Sequence, residues 1–233
     1  MTNELLLIIS LCCSFSALLV FFQLFGKEGC MAWTCLCTVF ANIEVAVLVN
    51  AFGMEQTLGN TLFASSFLAT DFLSEFYGKK EAGKAVRLGI ASSCVFIIFS
   101  LLVVRYVPSE NDIVFASVQT LFSNTPRILI ASLAGYAASE LLDVQLYHAL
   151  WKLTIIKSGS REKYLWLRNN IATLTSQAVN IIIFNFAAFW GVYDMKTLIS
   201  ITGACYVIYI FTSLLDTPFL YVARKLHTAR ATV

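Results

Sequence analysis

Residues 52–86 read FGMEQTLGNTLFASSFLATDFLSEFYGKKEAGKAV. The stretch passes from a glycine-containing turn, through an apolar span, into a cluster of lysines. Inside the last two turns of the span stand Asp71 and Glu75, four residues apart and so on one helix face. A carboxylate at bilayer depth is costly, about 2.5–3.5 kcal/mol for Asp on insertion scales. A span that carries two of them presents them to a cavity or to a neighbouring helix. The rest of the chain reads as a scaffold around that face.

Composition supports the membrane. Of 233 residues, 58% are hydrophobic and 13% charged, with a mean hydropathy of +0.76; soluble domains run at about 45–50% and about 25%. A crossing takes about 20 residues, and the apolar runs are continuous rather than alternating, which excludes a strand barrel. The expected fold is an all-α integral membrane protein: a single polytopic domain, 1–233, of six to seven transmembrane helices with short loops. The net charge of +2 is gathered into loops, without the aromatic-interleaved basic stripe of a nucleic-acid binder. Seven cysteines include no CxxC and read as apolar packing residues, so no metal site is expected. No HExxH, GxSxG or phosphate loop occurs, and no histidine lies deep enough to activate a nucleophile. Neither an enzyme nor a cofactor is expected. The first apolar run lacks a basic leader segment and is taken as a retained helix.

Helices are expected over about 4–25, 30–52, 58–77, 86–107, 127–150, 169–190 and 196–223. A turn is expected at Gly26–Gly29, a tight connection at Gly53–Gly59 and loops at 78–87 and 108–126. Lys79 to Arg87, then Lys152, Lys157, Arg161, Lys163 and Arg168, then Arg224 and Lys225, form three basic clusters. By the positive-inside rule all three, and with them the C-terminus, are cytoplasmic. A third helix that crosses fully makes seven and puts the N-terminus outside; a re-entrant one makes six and puts it inside.

Six acids lie in or beside the spans: Glu44, Asp71, Glu75, Glu140, Asp143 and Asp216. The nearest bases, Arg105, Arg127 and Arg168, are expected at helix ends. That surplus suits a ligand rich in hydrogen-bond donors, or a cation. Structural roles compete at each position: Glu75 with Lys79 four residues on, one of Glu140 and Asp143 with the following basic loop, and Asp216 beside Pro218. Glu44 is expected near mid-membrane on a face with Cys37, Ala41 and Leu48. Asn169, Thr173, Gln177 and Asn180 share a polar face, and His148 is expected at the interface.

The segment FGMEQTLGNTLFASSFLATDFLSEFYGKKEAGKAVRLG resembles the hallmark of the queuosine precursor transporters, also called the vitamin uptake transporter family. So do ASELLDVQLYHALWKLT at 138–154 and LWLRNNIATLTSQAVNIIIFNFAAFWG at 165–191. The resemblance covers nearly all of the chain after the first helix. It implies a bacterial inner-membrane, multi-pass carrier of 7-deazaguanines (preQ0, preQ1 or queuine), secondary or facilitated, with the lipid bilayer and a small nucleobase as its partners. Asp71, Glu75, Glu140 and Asp143, carried over by motif position, head the expected substrate site, with Glu44 beside them. A carboxylate accepts the N1–H and 2-amino donors of such a base, and an amide from Asn169, Gln177 or Asn180 donates to O6. Phe67 and Tyr136 offer aromatic faces. Two alternatives remain at this point: a substrate-binding subunit of an energised vitamin importer, which needs an ATPase partner, and a structural membrane protein. Homo-oligomerisation stays open.

Overall fold

The computed structural model describes residues 2–123, 126–160 and 163–231; Arg161, expected in a basic loop, lies outside them. The apolar runs become helices: α1 (Asn3–Glu44), α2 (Gly59–Tyr77), α3 (Lys79–Val103), a short α4 (Phe115–Ser123), α5 (Pro126–Ser158), α6 (Leu165–Phe189) and α7 (Met195–Ala231). Five of these, α1, α3, α5, α6 and α7, are long and apolar enough to cross a membrane. Apolar side chains such as Leu24, Ile98, Phe99 and Phe211 stay exposed, as a lipid-facing surface allows.

A straight helix of 42 residues would be about 63 Å long. Instead the two ends of α1 come together. Asn3 Nδ2 donates to the Asn50 carbonyl at 2.9 Å, and the Phe52 N–H donates to Glu4 Oε1 at 3.1 Å. The chain folds back at Gly26, whose φ of 62° and ψ of −132° are non-helical, leaving arms of residues 3–25 and 27–44. Phe21 and Trp33 face each other across the bend, ring centroids 5.2 Å apart. The expected turn of four residues is thus compressed into one. Any side chain there would be strained, and a Cβ would also stand 3.2 Å from the Tyr77 hydroxyl. Gly26→Ala is expected to destabilise the protein by about 1–3 kcal/mol, read as a lowered melting temperature in detergent.

The second arm ends at Glu44, not near residue 52. Residues beyond it form a two-stranded antiparallel hairpin, β1 (Leu48–Ala51) and β2 (Met54–Thr57), with Leu48 opposite Thr57 and Ala51 opposite Met54. Phe52 and Gly53 turn it with φ of 53° and 71°, the doubly positive pattern that matches strand twist in a two-residue loop. The fold is all-helical as expected apart from this short hairpin, which stands where the end of the second expected helix would be, and Glu44 moves from mid-span to a half-buried helix end.

Of the 19 residues of α2, 14 are buried, and α1, α3, α5 and α7 all pack against it. Its small residues admit close neighbours, as where Trp33 Nε1 donates to Ser65 Oγ at 2.9 Å. Only Gly78, with φ of 85°, separates α2 from α3, so the lysines expected in a loop form the first turn of α3. Lys27 pairs there with Glu81 at 3.5 Å. The expected loop after α3 contains α4, whose start is held by Asp112 Oδ1 accepting from the Val114 and Phe115 N–H groups. The molecule therefore has a hairpin end, where α2 begins, and a basic end, where α2 gives way to Lys79.

Candidate functional site

Helices α2, α5, α6 and α7 each turn a polar ladder toward the interior. Along α2 it runs from Asn60 through Ser66, Thr70 and Asp71 to Glu75, about 22 Å at about 1.5 Å per residue. On α5 the matching residues are Ser132, Tyr136, Glu140, Asp143 and Tyr147; on α6 they are Asn180, Gln177, Thr173 and Asn169. The two ladders of α2 and α5 meet rung by rung. Nearest the hairpin end, Tyr136 packs its ring on Phe63, centroids 5.8 Å apart, and its hydroxyl lies 3.4 Å from Ser66 Oγ. Gly89 on α3 leaves room for that hydroxyl, with which a Cβ would collide. One turn on, Ser66 and Thr70 donate one hydroxyl each to Glu140 Oε1 and Oε2, both at 2.9 Å.

Asp71 and Asp143 lie on the next rung. Thr173 donates to Asp71 Oδ2 at 3.3 Å and Ser176 to Asp143 Oδ1 at 2.8 Å. Their other oxygens, Asp71 Oδ1 and Asp143 Oδ2, have no donor, and neither has Asn169 Oδ1. The two carboxyl groups are close enough to hydrogen-bond each other once a proton lies between them. Asp216 on α7 accepts from Asn169 Nδ2 at 2.9 Å. Asp71, Glu140, Asp143 and Asp216 are at most 1% exposed, and among the described residues none of the four has an ion pair.

The cation that might have neutralised them is committed elsewhere. Arg168, expected at a helix end, falls one turn inside α6 and is fully buried. It holds Glu75 through Nη2 at 2.6 Å and Nε at 3.2 Å. Tyr147 donates to the same carboxylate at 2.7 Å and Arg224 at 3.2 Å, so the anticipated Glu75–Lys79 pair is replaced. The guanidinium also lies 4.9 Å from the Trp151 ring centroid, a cation–π contact. This cluster joins α2, α5, α6 and α7 at the basic end.

Of the residues singled out in the sequence, Asp71, Glu140, Asp143, Tyr136, Asn169, Gln177 and Asn180 are all buried in the interior. Asn180 donates to Gln177 Oε1 at 3.2 Å. Glu75 sits below them, fully paired; Phe67 is buried on α2 without a ring partner among the described residues; Glu44 stands apart at the end of α1. His148 is half-buried and stacks near Trp151, centroids 5.7 Å apart. The hydroxyls that hold the acids, Ser66, Thr70 and Ser176, were not singled out, although Ser66 and Thr70 stand four apart in an apolar run. No group of His, Cys, Asp and Glu with metal-site geometry occurs among the described residues.

Residues 57–223 match the family described as "Putative vitamin uptake transporter". The chain is 35% identical over 212 residues to the "Probable queuosine precursor transporter" of Bacillus subtilis, covering 91% of this chain and 90% of that one. It is 25% identical over 150 residues to the "Queuosine precursor transporter" of Escherichia coli, covering 64% and 62%. Over 109 residues it is 31% identical to the "Probable queuosine precursor transporter" of Haemophilus influenzae, covering 45% and 43%. No solved structure matches the chain.

Proposed function

Because the chain belongs to the vitamin uptake transporter family, we propose that it imports queuosine precursors, 7-deazaguanines, across the bacterial inner membrane as a secondary or facilitated carrier. One observation carries the substrate class: among the described residues Asn169 Oδ1 is buried without a donor, and Asp71 Oδ1 and Asp143 Oδ2 have none beyond a proton that the two carboxyls can share. A buried acceptor without a partner costs about 1–3 kcal/mol, a cost a binding site recovers when its ligand arrives. The N1–H and 2-amino groups of a guanine-like base are adjacent donors of the kind a carboxylate accepts side by side. Gln177 and Asn180 lie on the same ladder, and Tyr136 supplies a ring face. The ammonium of preQ1 suits a second carboxylate.

Orientation follows from charge. Lys79, Lys80, Lys84, Lys152, Lys157, Arg224 and Lys225 lie at or near the basic end, which the positive-inside rule assigns to the cytoplasm, with the hairpin outside. The test is uptake of radiolabelled queuine, preQ0 and preQ1 by cells lacking queuosine synthesis and their own carrier, scored as queuosine in tRNA. Restoration by the expressed protein with at least one base is expected. Failure with all three, with the protein present in the membrane, would overturn the substrate class.

A further inference from the structure

The carboxylates are not among the residues that line the cavity at the hairpin end. The cavity that reaches inward from the hairpin end lies above them, bounded by β2, α2, α5, α6 and α7, and its polar wall is made of neutral groups: Gln56, Asn60, Ser132 and Asn180. Two of these present donors with no acceptor, Gln56 Nε2 and Asn60 Nδ2, and the Ser132 hydroxyl, which can donate as well as accept, has no partner among the described residues; each atom is sealed from solvent. Gln56 and Ser132 are only 3% and 2% exposed. The hydrogen bonds assign Asn60: its Oδ1 accepts from the Tyr209 hydroxyl at 2.8 Å, which leaves the amide N–H groups turned away from Tyr209. Phe63 and Tyr209 add aromatic walls, and among the described residues no charged side chain lines the space.

The polarity of this wall is opposite to that of the layer below. Near the hairpin the unsatisfied atoms are donors; at Asp71 and Asp143 they are acceptors. A guanine-like base has both kinds of edge, with O6 and N3 as acceptors and N1–H and the 2-amino group as donors. We propose that the cavity lined by Gln56, Asn60 and Ser132 is an outer subsite that holds a neutral, flat, carbonyl-bearing heterocycle by its oxygen before its donor edge reaches the carboxylates. The proposal rests on the functional reading above and extends it to residues outside the acid layer.

The space is about 50 Å³, enough for a few waters. A neighbouring apolar groove of about 540 Å³, walled by Leu7, Leu11, Phe211 and Leu215, shares Gln56 and Asn60 with it. Gln56 and Asn60 thus face both spaces.

The distinguishing property of an unsatisfied buried donor is that the empty protein does not need it. Replacing it with an apolar group of similar shape is neutral or stabilising, whereas replacing a structural hydrogen-bonding group is not. Gln56→Met and Ser132→Ala are therefore expected to leave the melting temperature unchanged or raised. Each weakens binding of radiolabelled preQ0, the uncharged precursor, to the purified protein by about tenfold, one hydrogen bond's worth. Binding of 2-amino-7-deazapurine, which lacks the oxygen, is weak in the wild type and unaffected by either variant. Wild-type preQ0 affinity in both variants, or a lowered melting temperature with equal losses for both ligands, would overturn the subsite and leave the carrier intact. If the wild type binds none of preQ0, preQ1 and queuine, the functional reading falls and the subsite with it.

Discussion

Asp71→Asn and Asp143→Asn each abolish most uptake while the protein still folds and reaches the membrane. Each substitution retains a carbonyl oxygen, so Thr173 and Ser176 keep their acceptors at 3.3 and 2.8 Å. What changes is the other atom: an acceptor without a partner becomes an amide that donates. A base arriving with N1–H and amino donors then meets a donor instead of a carboxylate. Hydrogen bonds to a charged group are worth about 1.5–3 kcal/mol, so losing one lowers affinity by roughly 10- to 100-fold. Glu140→Gln is the internal control, because both of its oxygens already have hydroxyl partners, Ser66 and Thr70; its loss is expected to stay within about tenfold. Uptake at matched membrane abundance measures all three. Wild-type rates for both aspartate variants would remove these residues from the site.

Arg168→Ala is expected to be the most destabilising single change in the chain. Arg168 and Glu75 are 0% and 4% exposed at the side chain, with Nη2 and Oε1 2.6 Å apart. Removing one partner of a buried pair strands the other charge, at a cost of about 3–5 kcal/mol. Arg224 also reaches Glu75, but from a more exposed position, 24% at the side chain, and compensates only in part. Loss of the stacking on Trp151 adds to the deficit. The expected result is little folded protein after detergent extraction. Glu75→Gln in the same chain should restore much of the yield, since it removes the stranded charge. A single Arg168→Ala variant with the wild-type melting temperature would show that the cluster does not bear on stability.

Much of this arrangement was legible in spacing alone. Tyr136, Glu140 and Asp143 sit on the helix face that the 3.6-residue period assigns them, and α2 does bring Asp71 to that face. Glu44 lies at a helix end rather than mid-span because the apolar pattern runs on to residue 52 while α1 stops at Glu44. The turn that ends the strand before Met54 is Phe52–Gly53, and phenylalanine with positive φ is not a turn signal that sequence pattern supplies. Arg168 is a helix-end base in a helix that starts at Asn169, but α6 starts at Leu165. That shift of one turn hides a guanidinium in the core. The hydroxyl partners escaped notice for a different reason: Ser and Thr inside apolar helices usually bond their own backbone, as Thr70 also does to the Phe67 carbonyl at 2.8 Å. Their second bonds, to acids on other helices, depend on packing that no single helix encodes.

The single-residue link at Gly78 has a mechanical meaning. Two helices joined through one residue have no slack between them, so a shift of α2 along its axis is transmitted to the first turn of α3. The link between α6 and α7 is longer, from Trp190 to Asp194, and that between α5 and α6 is longer still. In an alternating cycle α2 and α3 then move as one body, and a spin-label pair with one label on each keeps its distance when substrate is added.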